Sequence, residues 1–228
     1  MISIIIPVLN EEARILKLLT LLAEYSSGFI REIIVVDGGS IDKTVQLVKQ
    51  QSQAILISSE KGRARQMNAG AKIASGSILY FLHADSLPPK DFDRFITEAY
   101  RNLNKAGCFR MKFDKDHWFL NLMSWFTRIN HKFCRGGDQS LFVEKQLFDE
   151  TGGFDESFIV YEDNVLIEKL YRKNQFVVIK QWLTTSARRY DEYGIWKVNY
   201  LFFRIHLKKY FGAGPEELHS YYQKKLNS

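Results

Sequence analysis

Apolar residues fall in short blocks through the first hundred positions, separated by polar punctuation at regular intervals. The pattern predicts strands over Ile2–Val8, Glu32–Val36, Ala54–Ile57 and Ile78–Leu82. Strands this apolar are buried on both faces, as in a parallel sheet covered by helices. Between them the period changes to that of a helix. Ile15, Leu18, Leu19 and Leu22 share one face, Val45 and Val48 mark a second helix, and Gly62–Ala74 a third. Asn10 is placed to cap the first helix, with Glu11 and Glu12 in its first turn. Ser40 is placed to cap the second, with Asp42 behind it.

After Pro88-Pro89 the rhythm loosens. Helix is expected over Asp91–Leu103, a strand over Gly107–Phe113, and an aromatic-rich helical stretch over Trp118–Phe133 that ends at Gly136-Gly137. A helix over Glu162–Tyr171, a short strand over Phe176–Ile179 and a helix over Ile195–Tyr210 follow. Gly212-Ala213-Gly214-Pro215 then breaks the chain before a last short helix. No repeat, low-complexity tract or linker interrupts the sequence. The expectation is an α/β domain over 1–190, with a nucleotide half at about 1–88 and an acceptor half at about 89–190. A C-terminal helical extension, 191–228, should pack on the same domain.

With 46% hydrophobic and 25% charged residues, the 228-residue chain reads as globular. Its apolar runs are far shorter than the roughly 20 residues of a membrane span. The N-terminus enters a strand with no basic region or cleavage site, so no signal peptide is read. Cys108 and Cys134 have no CxxC spacing and read as small core residues in a reducing cytoplasm. The net charge of +6 is uneven: from Ser186 onward eight Lys and Arg face four Asp and Glu. An anionic partner is implied there, such as a diphosphate, a membrane surface or nucleic acid.

The chemistry lies in four acidic stations, each at a strand end or a helix mouth: Glu11-Glu12, Asp37, Asp85 and Glu162-Asp163. Ligands of open α/β sheets bind beyond the carboxyl ends of the strands, so carboxylates placed there converge. Converging like charges require a partner, and a divalent cation with a hydroxyl-rich ligand would supply it. Asp37 precedes Gly38-Gly39, which suits either a ribose-binding carboxylate or a turn-stabilising one. Arg63 and Arg65 open a helix, where cations are unfavourable; they are either solvated surface arginines or partners of a bound diphosphate, which would resolve that conflict. His83 and Asp85, two apart on an extended segment, point to the same side and could share Mn²⁺ or Mg²⁺ or hold a metal-bound diphosphate, the alternative for His83 being a packed strand-end histidine. A G-x-G-x-x-G fingerprint is missing after the first strand, and no G-x-x-x-x-G-K-[ST] loop occurs, which argues against dinucleotide and P-loop sites.

The ordered set Pro7-x-x-Asn10-Glu11, Val35-Val36-Asp37-x-x-Ser40-x-Asp42, His83-Ala84-Asp85 and Glu162-Asp163 resembles the family 2 glycosyltransferases, with their GT-A fold. Within it the chain resembles small bacterial members carrying Gly-Arg-Ala-Arg-Gln-Met-Asn (Gly62–Asn68), Phe-Leu-His-Ala-Asp, Gly-Asp-Gln and Ser-Ala-Arg-Arg. The resemblance runs from Ile2 to about Tyr190. It implies that Pro7, Asn10, Glu11, Asp37 and Gly39 hold the nucleoside of a nucleoside-diphosphate sugar, with uracil as the expected base. Arg63, Arg65, Asn68, His83, Ala84 and Asp85 would serve the donor, with Asp85 as metal ligand. Gly137, Asp138, Gln139 and Trp125 would lie near the acceptor, and Arg188 and Arg189 would meet the leaving diphosphate. His83 replaces the first acid of the family's Asp-x-Asp.

What the resemblance implies is inverting, metal-assisted hexosyl transfer to an acceptor hydroxyl, with Asp163 as general base beside Glu162. A non-catalytic sugar-nucleotide-binding protein is the alternative. Nucleic acid is not expected as a partner, since no motif supports it. The aromatic positions Trp118, Phe119, Trp125, Phe126 and Phe133, and the aromatic and basic run Leu201–Phe211, fit either helices covering a sheet or an interfacial surface. A lipid-like acceptor and peripheral contact with the inner face of the membrane are therefore carried as expectations.

Overall fold

The first strand sets the layers. In a computed structural model, which describes residues 1–173 and 175–226, Ile2–Val8 forms β1 with every residue buried. Successive side chains on a strand point to opposite faces. Ile4, Ile6 and Val8 therefore join Ile15, Leu18, Leu19 and Leu22 of α1 (Ile15–Tyr25) in one apolar cluster. Ile5 points the other way and joins Ile34, Val36, Ala64 and Met67 in a second. Each buried α1 side chain contributes about 1.5–3 kcal/mol over leaving it in water.

The unit repeats through β2 (Ile30–Asp37), α2 (Thr44–Lys49), β3 (Ala54–Ser58), α3 (Arg63–Ile73) and β4 (Ile78–Phe81). β1 pairs in parallel with β2 and β4, and β2 with β3. α3 covers the second face so closely that a Cβ on Gly70 would meet Ile5 Cγ2 at 2.5 Å. Only glycine lets the helix lie there.

Both capping expectations fail, for one reason: residues 10–12 and 37–44 bond each other instead of helix ends. Asn10, at φ +57°, donates its N–H to Ser40 Oγ, and its Oδ1 accepts from Ile41 N–H. Glu12 accepts from Lys43 N–H, and Glu11 N–H donates to Thr44 Oγ1. α1 begins only at Ile15, so Glu11 and Glu12 lie outside its first turn.

Beyond β5 (Ser86–Leu87), α4 (Phe92–Arg101) and β6 (Ala106–Phe113), helix α5 covers only Trp118–Phe126. The helix expected to reach Phe133 stops because Thr127 is buried against β6, where its hydroxyl bonds both the N–H and the C=O of Met111. Separate 3-10 turns span Lys132–Cys134 and Gly137–Gln139. The second leads into a strand the pattern did not reveal, β7 (Leu141–Glu144), antiparallel between β4 and β6. Helices α6 (Lys145–Glu150) and α7 (Glu162–Arg172) follow, then β8, which runs from Phe176 to Thr185 rather than ending at Ile179. The eight-stranded sheet has the order β3-β2-β1-β4-β7-β6-β8-β5, with β8 parallel to β6 and β5 antiparallel to β8. This is the mostly parallel sheet with helices on both faces that the pattern called for.

Helices α8 (Arg188–Tyr193), α9 (Ile195–Tyr210) and α10 (Pro215–Leu226) complete the described chain. Leu201, Ile205 and Leu218 pack on Phe158 and Val165, beside α7. Of the extension expected over 191–228, residues 227 and 228 lie outside the described residues. No helix among the described residues is long and apolar enough to cross a membrane.

Candidate active site

Parallel strands end along one edge, so whatever follows β1, β2 and β4 emerges there together. The antiparallel pairings add residues from far along the chain. Phe81 pairs with Leu141, which brings the turn holding Asp138 beside the segment holding Asp85. Ser86 pairs with Thr185, and Ser186 N–H donates to Asp85 O at 3.1 Å, which delivers Arg188 to the same edge. The Arg188 guanidinium then reaches back to the end of β1. It lies 2.6 Å from Glu11 Oε1 and 3.5 Å from Asp85 Oδ2. Asp85, Asp138, Ser186, Arg188, Arg189 and Tyr190 line a small crevice.

A larger cavity, of about 340 Å³, adjoins it, and Asp138, Arg189 and Tyr190 line both. Glu162 and Asp163 border this cavity at the head of α7, where the helix N-terminus favours negative charge. Both acids are buried, and Arg63 Nη1 lies 3.4 Å from Glu162 Oε1 and 3.7 Å from Asp163 Oδ2. Burial, reinforced by the Glu162 charge and opposed by Arg63 and His83, pushes the Asp163 carboxyl up to about 6. Burial also raises Glu162, against the pull of Arg63. A buried carboxyl poised near neutrality is suited to taking a proton. Met111, Met123, Phe126 and Phe133 give the cavity an apolar wall, and Phe202 and Tyr222 close it from α9 and α10.

Residues 3–154 match the family described as glycosyl transferase family 2. The chain belongs to that family. It is 30% identical to an undecaprenyl-phosphate 4-deoxy-4-formamido-L-arabinose transferase of Edwardsiella ictaluri (strain 93-146), over 52% of this chain and 39% of the relative. Among solved structures, S. aureus TarS 1-349 in complex with UDP superposes with a TM-score of 0.69 at 21% identity, covering 82% of this chain and 60% of that one. The mannosyltransferase PcManGT from Pyrobaculum calidifontis, in complex with GDP-Man and Mn²⁺, gives 0.68 at 19% identity, covering 97% and 68%. The fold is therefore GT-A. The chain spans well under half the length of that curated relative and 60% of the TarS fragment.

Within this family 2 chain the expected site residues divide. Asp163, Glu162, Arg63, Asp138, Asp85, Arg188 and Arg189 line one or other of the two adjoining cavities. Asp37, Asn10 and Gly39 line neither and form the rim of the neighbouring loops beyond β1 and β2. Asp37 accepts from Gly39 N–H at 3.0 Å and Ser40 N–H at 3.1 Å, and Gly39, at φ +95°, makes that turn possible. Glu11 and Arg188 tie the rim to the crevice. Pro7 lies within β1, and Ala84 is buried between His83 and Asp85.

Several assignments change. The charge conflict at the head of α3 is met by protein carboxylates: Arg63 faces the α7 acids, while Arg65 turns away to Glu60 and Glu156. Asn68 is spent on structure, donating to Phe154 O at 2.9 Å and accepting from Phe154 N–H at 3.0 Å. Gln139 borders the cavity, but its amide is consumed by Arg135 Nη1 at 2.8 Å and Cys134 O at 2.9 Å. It anchors the turn that presents Asp138. Trp125 is exposed and does not line the cavity; its neighbour Phe126 does, because the helical turn separates them.

Sequence reasoning missed the buried Arg135, which also bonds Thr127 O and Ile129 O and so holds the Gly136–Gln139 turn. A lone arginine before two glycines was its only signal. Gln66, whose Nε2 donates to both Val8 O and Val36 O at 2.8 Å, joins the ends of β1 and β2, a role its place in the Gly62–Asn68 motif does not signal. Tyr161 was also missed: it sits at φ +82° just before Glu162, with its hydroxyl 3.0 Å from His206 Nδ1.

As for a cation, no three His, Cys, Asp or Glu side chains gather as a ready metal site among the described residues. Asp85 offers one partly exposed carboxylate whose nearest cation is the Arg188 guanidinium. That donor set fits an ion shared with substrate phosphates, as Mg²⁺ is commonly held, and does not fit a cage built by protein alone.

Proposed function

We propose that this chain is an inverting glycosyltransferase that moves a hexosyl group from a nucleoside-diphosphate sugar, with UDP as the expected carrier, to an acceptor hydroxyl. The observation that carries the reading is Asp163. It is a buried carboxyl pushed up to about 6, bordering an apolar-walled cavity that adjoins the crevice of Asp85, Arg188 and Arg189. The rim of Asp37, Asn10 and Gly39 would take the nucleoside and the crevice the diphosphate. The acceptor would enter the cavity.

In that arrangement Asp163 removes the acceptor hydroxyl proton as the oxygen bonds the anomeric carbon. The bond from that carbon to the diphosphate oxygen breaks on the opposite face. Negative charge builds on the leaving phosphate, where Arg188 and Arg189 stand ready to receive it. Glu162 and Arg63 hold Asp163 in place and set its proton affinity. Asp85, together with phosphate oxygens, would hold a divalent cation, Mn²⁺ or Mg²⁺, which supplies further charge neutralisation when bound.

The test joins binding to turnover. Nucleoside diphosphates should raise the melting temperature, more strongly with Mn²⁺ than without, since a ligand bound only by the native state stabilises it. The diphosphate sugar should also be slowly hydrolysed, and Asp163→Asn should lose that hydrolysis by about 10²–10⁴-fold while keeping the thermal shift. A normal rate in the variant would overturn the base assignment. A thermal shift with no hydrolysis or transfer in any variant would make the chain a sugar-nucleotide-binding protein instead.

A further inference from the structure

Helix α9 has three faces, and only two of them are used by the fold. Val198, Leu201 and Ile205 are buried. Asn199, Phe202 and His206 line the large cavity. The remaining face carries Trp196, Tyr200, Phe203, Leu207 and Tyr210, spaced by three and four residues so that they form one outward stripe about 21 Å long. Trp196 is 62% exposed and Tyr210 76%. Exposed aromatics scattered singly need no explanation, but a contiguous apolar stripe marks an interaction surface.

A second stripe continues the first. On α5, Trp118, Leu122 and Trp125 repeat the same spacing and are exposed, Trp118 to 64%. The Trp118 and Trp196 rings lie 6.1 Å apart, and Phe119 packs on Trp196 at 4.9 Å, so the two helices present one joined face. Its own charge is basic. α5 has no charged residue, and α9 has Lys197, Arg204, Lys208 and Lys209 with no acid, Lys208 being paired with Glu217 of α10. Lys197 and Arg204 fall along one flank of the outward stripe. Tryptophan and tyrosine side by side with bases, on a helix lying flat against its own domain, match an interfacial helix on negatively charged lipid. Phe126, Phe133 and Ile159 are both exposed and part of the cavity wall, so the cavity opens beside this face.

We propose that the α5 and α9 face seats on an anionic lipid surface, with the aromatic rings at headgroup depth and the cavity mouth turned toward the bilayer. The seating itself uses exposed side chains and none of the residues assigned to the transfer reaction. If transfer also holds, an amphiphilic acceptor could reach Asp163 without leaving the lipid.

Vesicles of phosphatidylcholine, with and without phosphatidylglycerol, test it on the whole chain by flotation and by tryptophan emission. The expected result is co-flotation with the phosphatidylglycerol vesicles and a blue shift of emission. Trp196→Ser with Phe203→Ser should weaken binding at least tenfold, and Lys197→Gln about fivefold. Neither should alter the thermal shift produced by a nucleoside diphosphate, which keeps a failure here separate from a failure of the donor site. Three results would overturn the proposal: no enrichment on either vesicle, flotation with unchanged emission, or a solution dimer that the double variant dissociates. The last would assign the face to a second copy of the chain.

Discussion

Arg188 and Glu11 lie 177 residues apart, yet two hydrogen bonds join their side chains, at 2.6 and 3.2 Å. The pair clasps the end of β1 to the start of α8 across the crevice that also holds Asp85. Arginine meets carboxylate and phosphate through the same planar fork, so a diphosphate entering this crevice competes for the same guanidinium. Arg188→Ala should raise the dissociation constant for a nucleoside diphosphate at least tenfold, measured by calorimetry. Because the arginine is 43% exposed, the stability cost should stay within about 1 kcal/mol. Unchanged affinity would remove Arg188 from the donor site.

Asp163 links chemistry to stability. Its carboxyl is raised in the folded chain to about 6 from an ordinary 3.8, so the folded state holds the proton more tightly than the unfolded one. Stability therefore falls as pH climbs from about 4 to about 6 and stays lowered above that window. Asp163→Asn removes the penalty. Denaturant titrations should show the variant more stable than the parent at pH 7.5, with the difference disappearing below pH 4. A variant less stable at pH 7.5 would contradict the burial argument.

Arg63 is the counterweight to both acids. Replacing it by methionine leaves two buried carboxylates facing each other, which should cost about 1–3 kcal/mol. The same change should move the acid limb of the kcat/KM profile upward from its expected position near pH 6. A limb that does not move would mean that Arg63 does not govern the titration of the pair.

Asn68 should separate structure from binding. It bonds the backbone of Phe154 in both directions, and a Cβ on Gly153 would come within 2.9 Å of its Oδ1. Asn68→Ala should lose about 1–3 kcal/mol of stability and leave the affinity for nucleoside diphosphates unchanged. A large loss of affinity at unchanged stability would restore it to the donor site.

Much of the first ninety residues was readable because the signals there are local. Continuous apolar strands and a 3.6-residue period gave β1 to β4 and the helices between them, and the acids lay at the strand ends. The caps failed because the hydrogen-bond partners of Asn10 and Ser40 lie about thirty residues away, in each other's loop. β7, four residues between an irregular turn and the immediate start of α6, has no polar boundary of its own to mark it off. Register carried the rest: Asp138 and Arg188 reach Asp85 through antiparallel pairings that no spacing along the chain encodes. The hydrogen bonds of Asn68 and Gln139 were not legible, because an amide free to bind a ligand and one already paired within the protein look identical in sequence.

One wall of the large cavity comes from α9 and α10, whose Leu201, Ile205 and Leu218 pack on Phe158 and on Val165 of α7. The helix that carries Glu162 and Asp163 and the wall that faces them thus share one apolar seam. Loosening that seam would admit water to the acids and relax the burial that raises Asp163, so packing remote from the carboxylates tunes them.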